Sequence, residues 1–297
     1  MDIDLIAAGL ERLVDKHPPL DRVVYGITFG EGPVWDRRGK QLFYVEIIGN
    51  TIWKWKPGVG REIVLRPSGH ANGMTFDRQG RLTVAGWCNR NIFRFEHDGA
   101  ITTIVSHYQG KKFNSPNDIV VKSDGSTYFT DSAGGLVIPG MIAQDVQRYL
   151  DIQGVFRITP DGKEVQLAIE DCTYPNGLAF TPDEKQLYVN DSRLGIIRAF
   201  DVRADGTLGP GRLFHTLTGV EGGVADGMKV DIEGNVYCTG PGGVHVIDPK
   251  GQLLGRLKIP GHSTNMAWGD DDRCSLYVTT FDSVYRTRVK IPGVAVW

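Results

Sequence analysis

The chain has 297 residues, of which 41% are hydrophobic and 23% charged, and its net charge is −2. These values are ordinary for a folded protein and argue against a disordered chain. The sequence contains no block of like charge and no apolar run near the roughly 20 residues of a membrane-spanning helix, so neither nucleic acid nor a membrane is expected as a partner.

The first predicted element is a short amphipathic helix within residues 3–15, part of an N-terminal extension over residues 1–19. Pro18 and Pro19 follow it and end it. The N-terminus lacks a basic segment followed by an apolar one, so no secretory signal is expected. The four cysteines are far apart and form no CxxC pair. A disulfide framework is therefore not expected, and a cytoplasmic, reducing compartment fits these features.

From about residue 26 one pattern returns six times: a polar residue, usually followed by Gly, then an apolar stretch, a turn and a Tyr/Val-rich strand. The polar residues are Glu31, Asn72, Asn117, Asn176, Asp226 and Asn265, at separations of 41, 45, 59, 50 and 39 residues. Strand-rich repeats of roughly 40 to 50 residues are typical of β-propeller blades. The sequence thus predicts an all-β, six-bladed β-propeller in which residues 1–297 form a single domain. We expect the segment Leu20–Tyr25 to close the ring beside the last blade.

The longest step in the repeat lies between Asn117 and Asn176. Most of its excess is an insertion in blade three, residues 132–153, of which residues 141–149 could form a short helix. Insertions into regular repeats often lie on the binding face, so we expect this one to form a wall or lid over the site. A surface excursion without functional consequence is the alternative.

Equivalent positions in all blades of a propeller face the central axis, so six carboxylate or carboxamide groups should converge there. Any single Asn-Gly would indicate only a turn. Two buried carboxylates, Glu31 and Asp226, would repel each other unless a cation lay between them. An all-oxygen ligand set favours a hard divalent cation, with Ca²⁺ the first choice and Mg²⁺, Mn²⁺ or Zn²⁺ as substitutes. The predicted ligands are Glu31, Asn117, Asn176 and Asp226.

Several further residues are candidates for contact with a substrate. Glu31 and Asp226 can act as bases. Asp118, which follows the predicted ligand Asn117 in sequence, is a further candidate base. His262 is either a loop histidine or a group that transfers protons or contacts the substrate. Asn72 and Asn265 could hydrogen-bond within the channel. A GxSxG elbow, a P-loop, GxGxxG and HExxH are all missing from the sequence.

The repeated motifs resemble those of the regucalcin/gluconolactonase (sugar-lactone lactonase) family, closest to its bacterial gluconolactonase branch, over nearly all of the chain after residue 25. The resemblance is carried by Glu31-Gly32-Pro33-Val34-Trp35, Ala71-Asn72-Gly73-Met74, Asn114-Ser115-Pro116-Asn117-Asp118, Tyr174-Pro175-Asn176-Gly177-Leu178 and Asp226-Gly227. It implies a six-bladed propeller with one catalytic divalent metal. It also implies that Glu31, Asn176 and Asp226 bind the metal, that Asn117 is a fourth ligand or a substrate contact, and that Asp226 is a candidate general base.

The chain departs from the family pattern at two places where the pocket wall is expected. Members usually have an acidic residue and His before Gly-Asn-Arg, whereas this chain reads Ala85-Gly86-Trp87-Cys88-Asn89-Arg90. A usual Pro-Pro-Tyr-Gly run is replaced by Ser132-Ala133-Gly134-Gly135. Trp87 and Asn89 are therefore candidate substrate contacts, and an indole at this place predicts a more apolar or aromatic substrate than a plain sugar lactone.

The leading prediction is a metal-dependent lactonase that acts on a small-molecule lactone or ester, as a monomer or weak homo-oligomer. An organophosphate or aryl esterase built on the same kind of propeller is the first alternative. A non-catalytic calcium-binding propeller is the second.

Overall fold

In the computed structural model, which describes residues 1–296, six antiparallel sheets surround one axis and form a six-bladed β-propeller. The innermost strands of the blades contact one another in a closed ring. The prediction of an all-β, six-bladed propeller is therefore confirmed.

The N-terminal elements and the first three blades take up residues 1–169. The N-terminal elements are β1 (Ile3–Leu5), α1 (Leu10–Leu13) and β2 (Leu20–Tyr25). Blade 1 contains β3 (Gly30–Asp36), β4 (Gln41–Glu46), β5 (Thr51–Lys56) and β6 (Gly60–Leu65). Blade 2 contains β7 (Met74–Phe76), β8 (Leu82–Gly86), β9 (Asn91–Phe95) and β10 (Ile101–Val105), and a small hairpin follows with β11 (His107–Tyr108) and β12 (Lys111–Lys112). Blade 3 contains β13 (Ser115–Val121), β14 (Thr127–Ser132), a 3₁₀ turn (Gly134–Leu136), β15 (Gly154–Ile158) and β16 (Val165–Ile169).

The last three blades complete the ring. Blade 4 contains β17 (Pro175–Phe180), β18 (Gln186–Asp191), β19 (Ile196–Asp201) and β20 (Arg212–Thr216). Blade 5 contains β21 (Met228–Val230), β22 (Val236–Gly240), β23 (Gly243–Ile247) and β24 (Leu253–Leu257). Blade 6 contains β25 (Ser263–Gly269), β26 (Ser275–Thr280) and β27 (Ser283–Arg288).

The N-terminal segment closes the ring as predicted, because β2 pairs with β27 and supplies the fourth strand of blade 6, with Leu20 opposite Thr287. The predicted helix over residues 3–15 is wrong in its first half. There β1 adds a fifth strand to blade 5, with Ile3 opposite Leu257, and only Leu10–Leu13 is helical. The edge of β24 offers unpaired backbone groups, and pairing with them satisfies more backbone than one isolated turn of helix.

The hydrophobic core lies between the blades, since six clusters of buried apolar side chains each join two neighbouring blades. In the cluster between blades 1 and 6, for example, Trp35 stacks on Tyr277 with ring centroids 5.3 Å apart. This arrangement fixes each blade against its neighbours and leaves the axis to the first strand of each blade. Within residues 1–296, no helix is long and apolar enough to cross a membrane.

Candidate active site on the propeller axis

The six repeated polar residues lie at the beginning of the innermost strands, and all six are buried. In four blades the pairing between the first two strands shifts register at or beside this residue: between Glu31 and Val34, Pro116 and Ile119, Pro175 and Leu178, and Ser263 and Asn265. A bulge of this kind bends the strand and redirects a side chain, and bulges are common beside active sites. The fold thus repeats one local irregularity around the axis.

Direct contacts link these residues from blade to blade. Asn265 Nδ2 donates a hydrogen bond to Glu31 Oε2 at 3.0 Å, which joins blade 6 to blade 1. The backbone N–H of Gly73 donates to the carbonyl of Asn117 at 2.7 Å, which joins blade 2 to blade 3. Asp226 in blade 5 lies close enough to Glu31 for the two charges to influence each other. The structure therefore brings Glu31, Asp226 and Asn265 together, and the convergence of all six side chains stays a prediction.

The glycine that follows most of these polar residues is required by close approach between blades. A Cβ at Gly177 would lie 2.3 Å from the carbonyl oxygen of Asp226, and one at Gly227 would lie 2.1 Å from the side chain of Asn265. Only glycine leaves room for such an approach. The repeated Asn-Gly and Asp-Gly pairs are thus packing positions at strand starts, and the turn interpretation of a single pair does not apply to them.

The two axial carboxylates are strongly affected by burial. Burial is the main cause that raises the pKa of Glu31 to about 7, although hydrogen bonds from the Gly32 N–H and from Asn265 oppose the rise. Burial, followed by repulsion from Glu31, raises the pKa of Asp226 well above its usual range, and an interaction with Asn176 opposes it. The pair therefore holds protons more tightly than ordinary carboxyl groups do, and a neighbouring cation would compete with those protons.

Asp118 and Lys229 form an ion pair behind the axial cluster, with Nζ and Oδ2 3.4 Å apart. Asp118 is almost completely buried, and its charge adds to the rise in the pKa of both Glu31 and Asp226. Lys229 lies three residues after Asp226 in an otherwise apolar strand. The structure therefore places the predicted Asp118 behind the site and shows a lysine partner that sequence analysis missed.

The donor set fits a hard divalent cation. Asn176 Oδ1 is buried and has no hydrogen-bond partner, and it belongs to a residue that contacts Asp226. Among the 296 described residues, no group of three or more His, Cys, Asp or Glu side chains is arranged to hold a metal, so a cation here needs amide oxygens as well as the carboxylates. Glu31, Asp226, Asn176 and Asn117 provide such oxygens, and hard cations prefer oxygen ligands. Chemistry and burial thus agree with the predicted ligand set.

The two remaining asparagines of the ring differ in what they can still bind. Asn265 is committed, because its Nδ2 donates to Glu31 and its Oδ1 accepts from the N–H of Met266 at 2.8 Å. The backbone N–H of Asn72 donates to the carbonyl of Ala85, while the side-chain Oδ1 of Asn72 is buried and has no hydrogen-bond partner. Asn265 therefore orients Glu31, and Asn72 retains an unused acceptor.

Trp87 and the insertion of residues 132–153 pack together, but the predicted short helix within residues 141–149 does not form. The Trp87 indole is 3% exposed and donates from Nε1 to the carbonyl of Met141 at 3.0 Å. Gly134 and Gly135 lie against its ring, leaving no room for a Cβ. These contacts satisfy the carbonyl of Met141 through a side chain, without a helix. They also use the indole for packing, so a role for Trp87 in substrate contact stays a prediction.

Arg90 holds the same insertion from the neighbouring loop. Its Nε donates to the carbonyl of Phe113, and its Nη1 donates to the carbonyls of Asp145 and Gln147. Its guanidinium also lies 5.3 Å from the ring centroid of Tyr149. A buried arginine with several backbone acceptors fixes a segment that has little regular structure of its own.

Asn89 and His262, which were predicted to contact the substrate, make contacts away from the axial carboxylates. Asn89 is exposed, and its Nδ2 reaches the carbonyl of Ser68 at 3.5 Å. His262 stacks on Phe281 with centroids 4.3 Å apart, and Phe281 in turn packs on Phe29, two residues before Glu31. The structure shows no contact between either residue and the axial carboxylates, and their roles stay predictions.

Tyr174 was not predicted as a site residue, although it begins the motif Tyr174-Pro175-Asn176-Gly177-Leu178. It precedes Asn176 by two positions, and the negative charges of Asp226 and Glu31 add to burial, the main cause, in raising the pKa of its phenol to about 12. Its hydroxyl lies beside Gly134 of the insertion. Its position directly before the Pro-Asn-Gly motif was the available signal for a site residue. An aromatic residue at this position is equally typical of the hydrophobic core.

A separate cavity of about 490 Å³ lies at the other end of the innermost strands. Its lining residues follow the axial cluster along each strand, as Met74 follows Asn72 and Ala179 follows Asn176, and most of them are apolar. Residues 294–296 of the C-terminal segment also line it, held by a hydrogen bond from the Val294 N–H to the Val230 carbonyl at 3.1 Å. The repeated polar residues thus lie at one end of the innermost strands, and this mostly apolar cavity, which Lys229 also lines, lies at the other.

These features define a class: six-bladed propeller proteins with an oxygen-lined site on the axis. Residues 29–282 match the family described as SMP-30/Gluconolactonase/LRE-like region, and the chain belongs to this family. A gluconolactonase from Zymomonas mobilis is 32% identical over 96% of this chain and 85% of its own length. A regucalcin from Xenopus laevis is 26% identical over 84% of this chain and 82% of its own length. The solved structure of a gluconolactonase from Xanthomonas campestris has a TM-score of 0.90 and 31% identity, covering 98% of this chain and 95% of that one.

Proposed function

We propose that the protein hydrolyses a lactone with the help of one divalent cation bound at Glu31, Asn117, Asn176 and Asp226. Family membership and the gluconolactonase relatives support lactone hydrolysis. The observation that carries the metal part is the pair of buried carboxylates beside an unpartnered Asn176 oxygen. Ca²⁺ is the first choice because all the ligands are oxygens. The calcium-binding bacterial regucalcin of the same fold supports this choice.

Each residue has a distinct part in the proposed reaction. The cation, when bound, polarises the lactone carbonyl and lowers the pKa of bound water. Asp226 accepts a proton from the attacking water, because its carboxylate lies next to the amide of Asn176 and has no committed cationic partner. Asn265 holds Glu31 in place through the 3.0 Å hydrogen bond. Lys229 neutralises Asp118, which keeps a third negative charge from accumulating behind the pair.

The test is lactone hydrolysis by protein treated with EDTA and then supplied with Ca²⁺, Mg²⁺, Mn²⁺ or Zn²⁺. We expect cation-dependent hydrolysis of glucono-1,5-lactone or of an aromatic lactone. An aryl ester and an organophosphate triester in the same panel test the esterase alternative. Calcium binding without turnover of any of these compounds would support the non-catalytic calcium-binding alternative.

Two variants separate the parts of Asp226 and Glu31. Asp226→Asn keeps an oxygen ligand but cannot accept a proton, so we expect kcat to fall by about 100-fold or more with the fold intact. Glu31→Gln should mainly weaken cation binding, with much of kcat regained at high cation concentration. Asp231→Asn is the matched control, since Asp231 is also a buried carboxylate of blade 5 but is bound to Asn235 in a hairpin turn. Full activity of Asp226→Asn at saturating cation would place the base at Asp118, Glu31 or His262.

A further inference from the structure

The backbone of Tyr174 is fixed two residues before Asn176, the axial asparagine of blade 4. The N–H groups of Thr173 and Tyr174 both donate to Asp191 Oδ2, at 2.6 and 3.1 Å, and the carbonyl of Tyr174 accepts from the N–H of Ser192 at 2.9 Å. Asp191 is itself buried. Tyr174 therefore enters the site from a rigid start of the strand rather than from a mobile loop.

The phenol ring and hydroxyl are held on both sides. A Cβ at Gly134 would lie 2.1 Å from the Tyr174 hydroxyl, so the insertion can approach it only with glycine. Ser132 lies near enough to interact with the hydroxyl, although its Oγ has no hydrogen bond of good geometry. The guanidinium of Arg193 lies 5.7 Å from the ring centroid on the solvent side. This support leaves the hydroxyl as the polar end of an otherwise packed side chain.

Ser192 connects Tyr174 to the axial cluster: its N–H donates to the Tyr174 carbonyl, and its Oγ accepts from Asn176 Nδ2 at 3.0 Å and donates to the carbonyl next to Asp226, that of Ala225. Three side-chain donors near this point are already committed. The Nδ2 of Asn265 is used by Glu31, the Nδ2 of Asn176 by Ser192, and the indole N–H of Trp87 by Met141. A tyrosine hydroxyl is an O–H donor at neutral pH. Tyr174 is thus an O–H donor near the axial cluster, at a place where the amides of Asn265 and Asn176 are already occupied.

We infer that Tyr174 contacts the substrate and donates a hydrogen bond to the ring oxygen of the lactone, an inference that rests on the proposed function. Water attacks the carbonyl carbon and the acyl carbon–ring oxygen bond breaks. The ring oxygen gains negative charge as it leaves and takes the proton that Asp226 accepted from the water, which gives the hydroxy acid. Tyr174 keeps its own proton throughout. A donor aimed at an atom on which charge develops stabilises the transition state more than the bound substrate.

The test is Tyr174→Phe in the full-length, cation-loaded protein, assayed on whichever lactone of the panel the wild type hydrolyses. Phenylalanine retains the ring and its packing, so we expect kcat to fall by about 10- to 100-fold with little change in KM. The Kd for Ca²⁺ and the melting temperature should stay close to the wild type. Tyr285→Phe, a half-buried tyrosine on the outer part of blade 6, is the matched control and should retain full activity.

A double-mutant cycle with Ser132→Ala adds a measurement that a purely structural role would not affect. If Ser132 orients the hydroxyl, its removal should lower kcat in the wild type and have much less effect in Tyr174→Phe. Unchanged kcat in Tyr174→Phe, in an active wild type, overturns the inference and leaves the proposed function standing. A fall in kcat that accompanies an equal loss of Ca²⁺ affinity or of stability also overturns it. A wild type without lactonase activity overturns the proposed function, and the inference with it.

Discussion

The metal-free protein should lose stability as pH rises through neutrality, because Glu31 and Asp226 share a buried site. In the folded protein the pKa of Glu31 is raised from 4.5 to about 7, mainly by burial. A carboxyl group with a raised pKa holds its proton more tightly in the folded state. Its stabilising contribution is therefore present below pH 4.5, declines through pH 7 and is lost above it. The shift corresponds to about 3 kcal/mol of unfolding free energy for Glu31 alone.

The measurement is urea unfolding at pH 5 and pH 8, in EDTA and in excess Ca²⁺. In EDTA the wild type should be less stable at pH 8 than at pH 5 by up to about 3 kcal/mol, and Glu31→Gln should show a smaller difference. Ca²⁺ at about 100 times its Kd should restore about 2.7 kcal/mol at pH 8 and much less at pH 5, where it competes with protons. If the wild type and Glu31→Gln have the same pH dependence in EDTA, or if Ca²⁺ does not stabilise the protein at pH 8, the assignment of the axial pair is wrong.

Three further predictions concern other parts of the fold. Burial lowers the pKa of His245 to about 4, so stability should fall by up to about 3 kcal/mol as pH drops from 6.5 to 4, and His245→Gln should flatten that part of the acid unfolding curve. Gly177→Ala should lower the melting temperature and weaken Ca²⁺ binding together, because its Cβ would meet the Asp226 carbonyl at 2.3 Å; a variant with unchanged Ca²⁺ affinity would contradict this reasoning. Trp87→Phe should destabilise the insertion, measured as faster proteolysis within residues 132–153, and a panel of lactones decides whether the indole also selects an apolar substrate. A large preference for glucono-1,5-lactone in kcat/KM would contradict the apolar-substrate prediction.

The axial cluster could be predicted from the sequence because the repeat is a sequence property with a direct geometric meaning. Residues at the same point of each blade must lie at the same height on the axis, so the six polar residues identified the cluster without any knowledge of side-chain contacts. The strands could be predicted from the sequence for a related reason. Each repeat was expected to contain a turn and a Tyr/Val-rich strand, and Gln41–Glu46 of blade 1 is such a strand.

Features that depend on contacts between distant segments could not be predicted in this way. Residues 3–5 have a helical pattern, yet they pair with β24, more than 240 residues away, because that edge is available. Residues 141–149 have a similar ambiguity, which Arg90 resolves by binding the backbone carbonyls of Asp145 and Gln147. Tyr174 and Lys229 are not among the repeated polar residues, so the repeat did not identify them as site residues. Their positions near Asp226 and Asp118 follow only from the assembled ring.

The chemical properties of the axial site arise from positions at which the six blades carry different residues. If all six positions carried Asn-Gly, the axis would hold only neutral amides separated by close backbone contacts. Among the six repeated positions, only those of blades 1 and 5 carry a carboxylate, Glu31 and Asp226. Asn265 of blade 6 lies between these two blades, and its amide is bound to Glu31, so Asp226 is the less restrained carboxylate. Blade 3 has Asp118 in place of the glycine, and Lys229 balances its charge. The net negative charge is therefore concentrated on the Glu31 and Asp226 side of the axis, where a cation and the proton-accepting carboxylate would lie together.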